Sequence, residues 1–130
     1  MPVRKTTILA ATHQTLKNIA VESLIASWLM HDGWQVFRPM LDHAHKTDLL
    51  ISDGPHFHRI QVKTFEKKKG QEFTNCWSPC PVDYVVFMVR NGNWGVITPG
   101  FTEKRRPIDH KEHRKFEKKK RDFLCAFHQI

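Results

Sequence analysis

The stretch Thr47-Asp48-Leu49-Leu50-Ile51-Ser52-Asp53-Gly54-Pro55-His56-Phe57-His58-Arg59-Ile60-Gln61-Val62-Lys63-Thr64 decides the fold. Thr47 to Ser52 is a short apolar run of strand length, Asp53-Gly54-Pro55 is a turn, and strand character resumes from His58 to Thr64. Side chains alternate along a strand, so Ile60 and Val62 share one face while Gln61 and Lys63 share the other. Antiparallel pairing of the two strands brings Asp48, which opens the first, close to Gln61 and Lys63.

On the N-terminal side, His13 to His31 reads as a helix. Leu16, Ile19, Ala20, Leu24 and Trp28 recur at helical spacing, Thr12 is placed to cap the start, and Gly33 follows the end as a C′ glycine. Trp34 to Arg38 is strand-like, and Pro39 to Lys46 is a polar connection. On the C-terminal side, Lys67, Lys68 and Lys69 precede Gly70, and a loop from Gln71 to Pro81 carries Phe73, Asn75 and Trp77. That loop is free to enter a groove or to meet a partner subunit. Val82 to Val89 gives the strongest strand signal, followed by the turn Asn91-Gly92-Asn93 and a return strand over Trp94 to Thr98, which Pro99-Gly100 ends. A second helix is expected from about Asp109 to the C-terminus, with Phe116, Phe123, Leu124 and Phe127 on one face and Lys and Arg on the other. The order of elements predicts one domain over residues 1–130, an α/β architecture with a mixed sheet flanked by helices.

The formal charge is +8, from 21 Lys and Arg against 13 Asp and Glu. Such a balance favours a polyanionic partner, because phosphates attract Lys and Arg and release counterions when bound. No apolar run approaches the ~20 residues that span a bilayer. Met1-Pro2-Val3-Arg4-Lys5 leads into no apolar stretch of signal-peptide type, and the three cysteines, Cys76, Cys80 and Cys125, do not suggest a disulfide framework. A cytoplasmic protein with no membrane partner is expected.

Glu22, Asp48, Gln61 and Lys63 stand where a metal site can assemble, with the first helix laying Glu22 over the end of the sheet. Cleaving a phosphodiester requires neutralising the phosphate and making a nucleophile from water. Carboxylate oxygens suit Mg²⁺, which does both, and a lysine stabilises hydroxide and developing negative charge. In this reading Asp48 is the central ligand, Glu22 binds directly or through water, Gln61 offers its amide oxygen, and Lys63 assists the nucleophile. Lys67, Lys68 and Lys69, beside this site, are assigned to backbone phosphates. His43, His45, His56 and His58, like Cys76 and Cys80, lack the second ligand pair that structural zinc requires.

The pattern Thr47-Asp48, twelve residues, then Gln61-Val62-Lys63 resembles the PD-(D/E)XK nuclease signature. Together with Glu22 and Gly33-Trp34 it resembles archaeal Holliday junction resolvases. The Gln-x-Lys form, with Val82-Asp83-Tyr84 and Trp94-Gly95-Val96-Ile97-Thr98-Pro99, also resembles small bacterial intron-encoded homing endonucleases. The resemblance covers roughly residues 13 to 99. It implies a restriction-endonuclease-like core and a DNA endonuclease dependent on Mg²⁺, with Mn²⁺ able to substitute. It further implies a homodimer or higher homo-oligomer and a prokaryotic or phage setting. Thr47 stands in place of the signature proline, which changes little chemically. Gln61 stands in place of an acid and removes one negative charge, which a backbone carbonyl such as that of Val62 would have to offset for the metal to be held. That departure keeps open a catalytically weak or inactive nucleic-acid-binding module with a vestigial site, and a nuclease that processes RNA is a further alternative.

Overall fold

The computed structural model describes residues 2–41 and 45–130. Helix α1 spans Ala10–His31 and is followed by strands β1 (Gln35–Phe37), β2 (Leu49–Ser52) and β3 (Phe57–Phe65). Then come β4 (Glu72–Thr74), β5 (Tyr84–Val89), β6 (Trp94–Pro99), β7 (Arg105–Pro107), β8 (Arg114–Glu117) and helix α2 (Lys120–Phe127). Six strands form one sheet in the order β1-β2-β3-β5-β6-β8, and β4 pairs with β7 in a second, smaller sheet. Neighbours in the large sheet are antiparallel except β3 and β5, so the sheet is mixed, as the order of elements predicts. No helix among the described residues is long and apolar enough to cross a membrane.

Helix α1 ends where glycine permits it. Gly33 has φ +101°, its N–H bonds to the Met30 carbonyl at 3.0 Å, and the Trp34 N–H reaches back to Leu29 at 3.1 Å. This pair of bonds is a Schellman stop, which consumes two carbonyls the helix leaves open. Trp34 then ties the two helices together. Its indole N–H donates to Asp32 Oδ2 at 3.0 Å, the same oxygen meets His128 Nε2 at 2.8 Å, and its ring stands edge-on to Phe127. The start of α1 differs from expectation. The helix begins at Ala10, two residues ahead of Thr12, and its N-cap, Leu9, makes no side-chain bond.

Both helices lie on one face of the sheet. Ile25, Trp28 and Leu29 of α1 and Phe123 and Phe127 of α2 close over Leu49, Ile60, Val62, Val86 and Ile97. The opposite face carries a second core, in which β4 and the chain around Trp77 and Phe101 cover Phe65, Val85, Phe87 and Val96. Phe73 stacks on Phe87 with ring centroids 3.9 Å apart. Each large side chain buried this fully contributes roughly 1.5–3 kcal/mol. The loop expected to enter a groove or meet a partner is therefore corrected: Phe73 and Trp77 are 2% and 3% exposed and belong to this core.

The expected C-terminal helix from Asp109 is also corrected. Residues 114–117 form strand β8, which pairs with β6 through Gly95↔Phe116 and Val96↔Lys115, and the helix begins only at Lys120. Phe116 still meets Phe123, ring against edge at 5.1 Å, but across the strand–helix corner and not along one helix. Gly95 is required there, because a Cβ would stand 2.6 Å from Phe116 Cζ and 2.7 Å from the Phe87 carbonyl oxygen.

Candidate active site

Strand β3 is paired on both sides, to β2 and to β5, and is covered on both faces, so its middle residues are buried whatever their polarity. Gln61, in register with Val85, is 3% exposed. Lys63 follows on the same face, half-buried, in register with Phe87. Ile60 and Val62 point the other way, into the core under α1. The alternation expected from the sequence is the alternation found.

Asp48 sits immediately before β2, where that strand peels away from β3. Leu49 pairs with Ile60, and one residue earlier the ladder breaks: the Asp48 N–H goes to the Ile60 carbonyl at 3.0 Å. The Val62 N–H, which points to the β2 side, is taken by Asp48 Oδ2 at 2.7 Å. A side-chain carboxylate thus stands in for the missing strand carbonyl. The Val62 carbonyl, on the same residue of an extended strand, points towards the same gap. The fold therefore brings Asp48 to the Gln61-Val62-Lys63 stretch and turns a peptide edge towards it.

Gln61 Oε1 is buried and has no hydrogen-bond partner. An unsatisfied buried amide oxygen costs about 1–3 kcal/mol, so its presence asks for a ligand that supplies the missing positive partner. The oxygen donors in reach, a carboxylate, an amide oxygen and a peptide carbonyl, are the hard ligands that Mg²⁺ and similar ions take. The residues fit such an ion.

Glu22 is held differently. It comes from α1, on the other side of the sheet from Gln61, and its Oε2 accepts from Arg38 Nη2 at 3.0 Å while Arg38 Nη1 donates to Ser23. Among the described residues no three His, Cys, Asp or Glu side chains converge to hold a metal. The structure thus gathers Asp48, Gln61, Val62 and Lys63, and gives Glu22 a cationic partner that no local sequence pattern indicates. Of the histidines considered for zinc, His56 pairs with Asp53, His58 packs against Trp34 and Tyr84, and His43 lies outside the described residues.

The lysine run after β3 is exposed, and Lys67 reaches over the ring of Trp94, its Nζ 5.4 Å from the centroid. Lys115, on β8, lies over the same ring at 4.6 Å. No sequence signal marks this convergence, since it depends on β8 being a strand.

A family model described as PD-(D/E)XK endonuclease matches residues 12–78, the segment that contains all four candidate residues. Among solved structures, the chain is similar to that of a bacterial homing endonuclease, I-Ssp6803I. The two share 19% sequence identity at a TM-score of 0.57, over 89% of this chain and 91% of that one. No curated protein sequence matches the chain. The similarity of structure places the mixed sheet and its helices in a restriction-endonuclease-like fold.

Proposed function

The chain belongs to the PD-(D/E)XK endonuclease family, and from that premise we propose that it is a divalent-metal-dependent DNA endonuclease whose site is Asp48, Gln61, Val62 and Lys63, with Glu22 as an accessory carboxylate. The observation that carries the proposal is the Asp48 carboxylate bound to the Val62 N–H beside a buried, unpartnered Gln61 oxygen. In this reading the Asp48 carboxylate, Gln61 Oε1 and the Val62 carbonyl hold Mg²⁺, and Mn²⁺ is able to replace it. When bound, such an ion supplies charge neutralisation at the phosphate and lowers the pKa of water.

The residues' own roles follow from their placement. The bond to Val62 fixes the Asp48 carboxylate, so little reorganisation is needed when a phosphate arrives. Lys63, two residues beyond Gln61 on the same face, orients the attacking water and stabilises negative charge as the phosphodiester opens. Gln61 donates oxygen without charge, which weakens cation binding relative to an acid but keeps the ligand geometry. Lys67, Lys68 and Lys69 bind backbone phosphates and position the duplex without reading its sequence. One chain carries one such site, so cutting two strands calls for two copies, and we infer a homodimer or larger homo-oligomer. Junction resolution and homing- or restriction-type cutting are the two modes of use that the proposal accommodates.

The test offers purified protein a four-way junction, a linear duplex and an RNA duplex, each with and without Mg²⁺. Metal-dependent DNA cleavage is expected. Cleavage of RNA alone would move the substrate assignment. Binding without cleavage under any metal would favour a vestigial site, the reading to which the Arg38-held Glu22 lends weight.

A further inference from the structure

At the C-terminal ends of β3 and β5 two hollows adjoin. One, of about 530 Å³, lies between α1 and the strand ends and is bordered by Lys17, Arg90 and Lys118. The other, also about 530 Å³, is bordered by Lys68 and Lys69. Arg90 and Glu66 line both, and Glu66 is the one carboxylate along either among the described residues. Five cations from four segments of the chain therefore face one acid.

Arg90 is the fixed member of this group. Its Nε and Nη2 both donate to Thr64 Oγ1, at 3.2 and 2.9 Å. Thr64 Oγ1 in turn donates to Asn18 Oδ1 at 3.0 Å, an oxygen that Gln14 Nε2 also reaches at 3.0 Å. The guanidinium is held by a neutral hydroxyl, so its position is set while its charge is left uncompensated. Two other anchored arginines are neutralised by acids, whereas Arg114, like Arg90, is held by neutral oxygens, the Lys111 and His113 carbonyls. Arg106 is buried between Glu103 and Glu112, and Arg38 is paired with Glu22. Lys17, Arg90 and Lys118 enter no ion pair among the described residues. A positioned, unneutralised guanidinium with two flanking ammonium groups matches a phosphate diester, to which Arg donates in a fixed fork.

The location suits the same substrate. Lys63 is in register with Phe87, and the Arg90 N–H bonds to the Phe65 carbonyl at 2.7 Å. Arg90 is thus three residues past the level of Lys63, roughly 10 Å along the strand at the usual rise.

We propose that Arg90, with Lys17 and Lys118, forms a second phosphate-binding site that continues the Lys68–Lys69 surface around the ends of β3 and β5, making a track for a nucleic-acid backbone. The inference rests on the nucleic-acid reading given above and adds residues from α1 and from the segments after β5 and β8.

The test measures duplex binding against salt concentration for the parent, a Lys17→Gln/Lys118→Gln variant and Arg90→Gln, with thermal melting of each alone and with inorganic phosphate. Each variant should bind more weakly. Each phosphate that is no longer neutralised should lower the log–log salt slope by roughly 0.9, so the double variant should lose about 1.8. Arg90→Gln also breaks bonds to Thr64, so if it melts early the double variant decides, because its lysines hold no ion pair. Unchanged slopes overturn the track. So does a site that phosphate alone stabilises while the duplex slope stays fixed, since that marks a small-anion pocket. A parent that binds duplex with these slope changes but never cuts leaves the track standing and removes the nuclease reading. A parent that binds no duplex overturns both.

Discussion

Asp48 Oδ2 lies 2.7 Å from the Val62 amide nitrogen, and this bond joins a candidate metal ligand to the peptide between two others. It makes the carboxylate part of the sheet and part of the site at once. Substitutions at Asp48 should therefore separate into structural and chemical effects.

Asp48→Ala leaves the Val62 N–H without its acceptor and should lower stability by about 1–3 kcal/mol. Asp48→Asn keeps an oxygen for that N–H and should restore most of the loss in urea denaturation. Both variants should lose cleavage by more than the roughly 10–100-fold that weakening a ligand's supporting contact costs. Lys63→Ala should lose cleavage to a similar degree while duplex binding persists. Cleavage at parental rates by Asp48→Asn and Lys63→Ala would remove the proposed chemistry.

Gln61 should trade stability for activity. Its buried oxygen has no partner in the absence of an ion. Gln61→Met, close in volume and apolar, should match the parent in denaturation or exceed it by about 1 kcal/mol, and should abolish cleavage. Gln61→Glu should keep some activity with an altered preference between Mg²⁺ and Mn²⁺, read from single-turnover rates across a titration of each. A fully active Gln61→Met would show that the amide has no role.

Charge reversal at Lys67, Lys68 and Lys69 should weaken duplex binding and flatten its salt dependence by roughly 0.9 in log–log slope for each phosphate released from a lysine. Lys67 also covers Trp94, so the variant should shift tryptophan emission before DNA is added. An identical salt slope would make the run a solvated surface.

His113 should give the fold a pH dependence. It is 9% exposed, its Nδ1 donates to the Ile108 carbonyl at 2.9 Å, and its Nε2 is buried without a partner. Burial pushes its pKa below the ordinary 6.5, helped by His110 and Arg106 and opposed by the Ile108 bond and Glu112. The unfolded chain therefore takes up this proton at a higher pH than the folded chain does. Where the unfolded state binds more protons, stability rises with pH. Melting temperature should fall as pH drops below about 6.5, the ordinary histidine value, and His113→Phe should flatten that part of the curve. Equal curves for parent and variant would assign the dependence to other groups.

The elements legible in the sequence are those with enough residues to display a period. The Leu49–Ser52 and Phe57–Phe65 strands, the Tyr84–Pro99 hairpin and the body of α1 each place several apolar residues at regular spacing. Strand β8 does not. Only Phe116 of Arg114–Glu117 is buried, and a single apolar residue among charges fits a helix as well as a strand. Strands β4 and β7 have the same weakness, with one inward residue each, Phe73 and Arg106. Their positions are set by contacts distant in sequence, such as Phe73 on Phe87. The site divides in the same way. Gln61 and Lys63 follow from strand alternation and Asp48 from hairpin pairing, whereas the bonds of Glu22 to Arg38 and of Arg90 to Thr64 join segments that no local pattern connects.

The two margins of the large sheet bear on how the molecule behaves when crowded. Its outermost strands, Gln35–Phe37 and Arg114–Glu117, are short, at three and four residues. An open strand margin is a template for adding another chain, and natural sheets blunt it with brevity and charge. Arg114, Lys115 and Glu117 supply the charge on one margin. The other offers Phe37, 40% exposed, beside Phe57 at a ring distance of 6.4 Å. Unwanted fibril-like growth, if concentration or heat provokes it, should begin on the Phe37 side, and Phe37→Lys is the change that should raise the solubility limit.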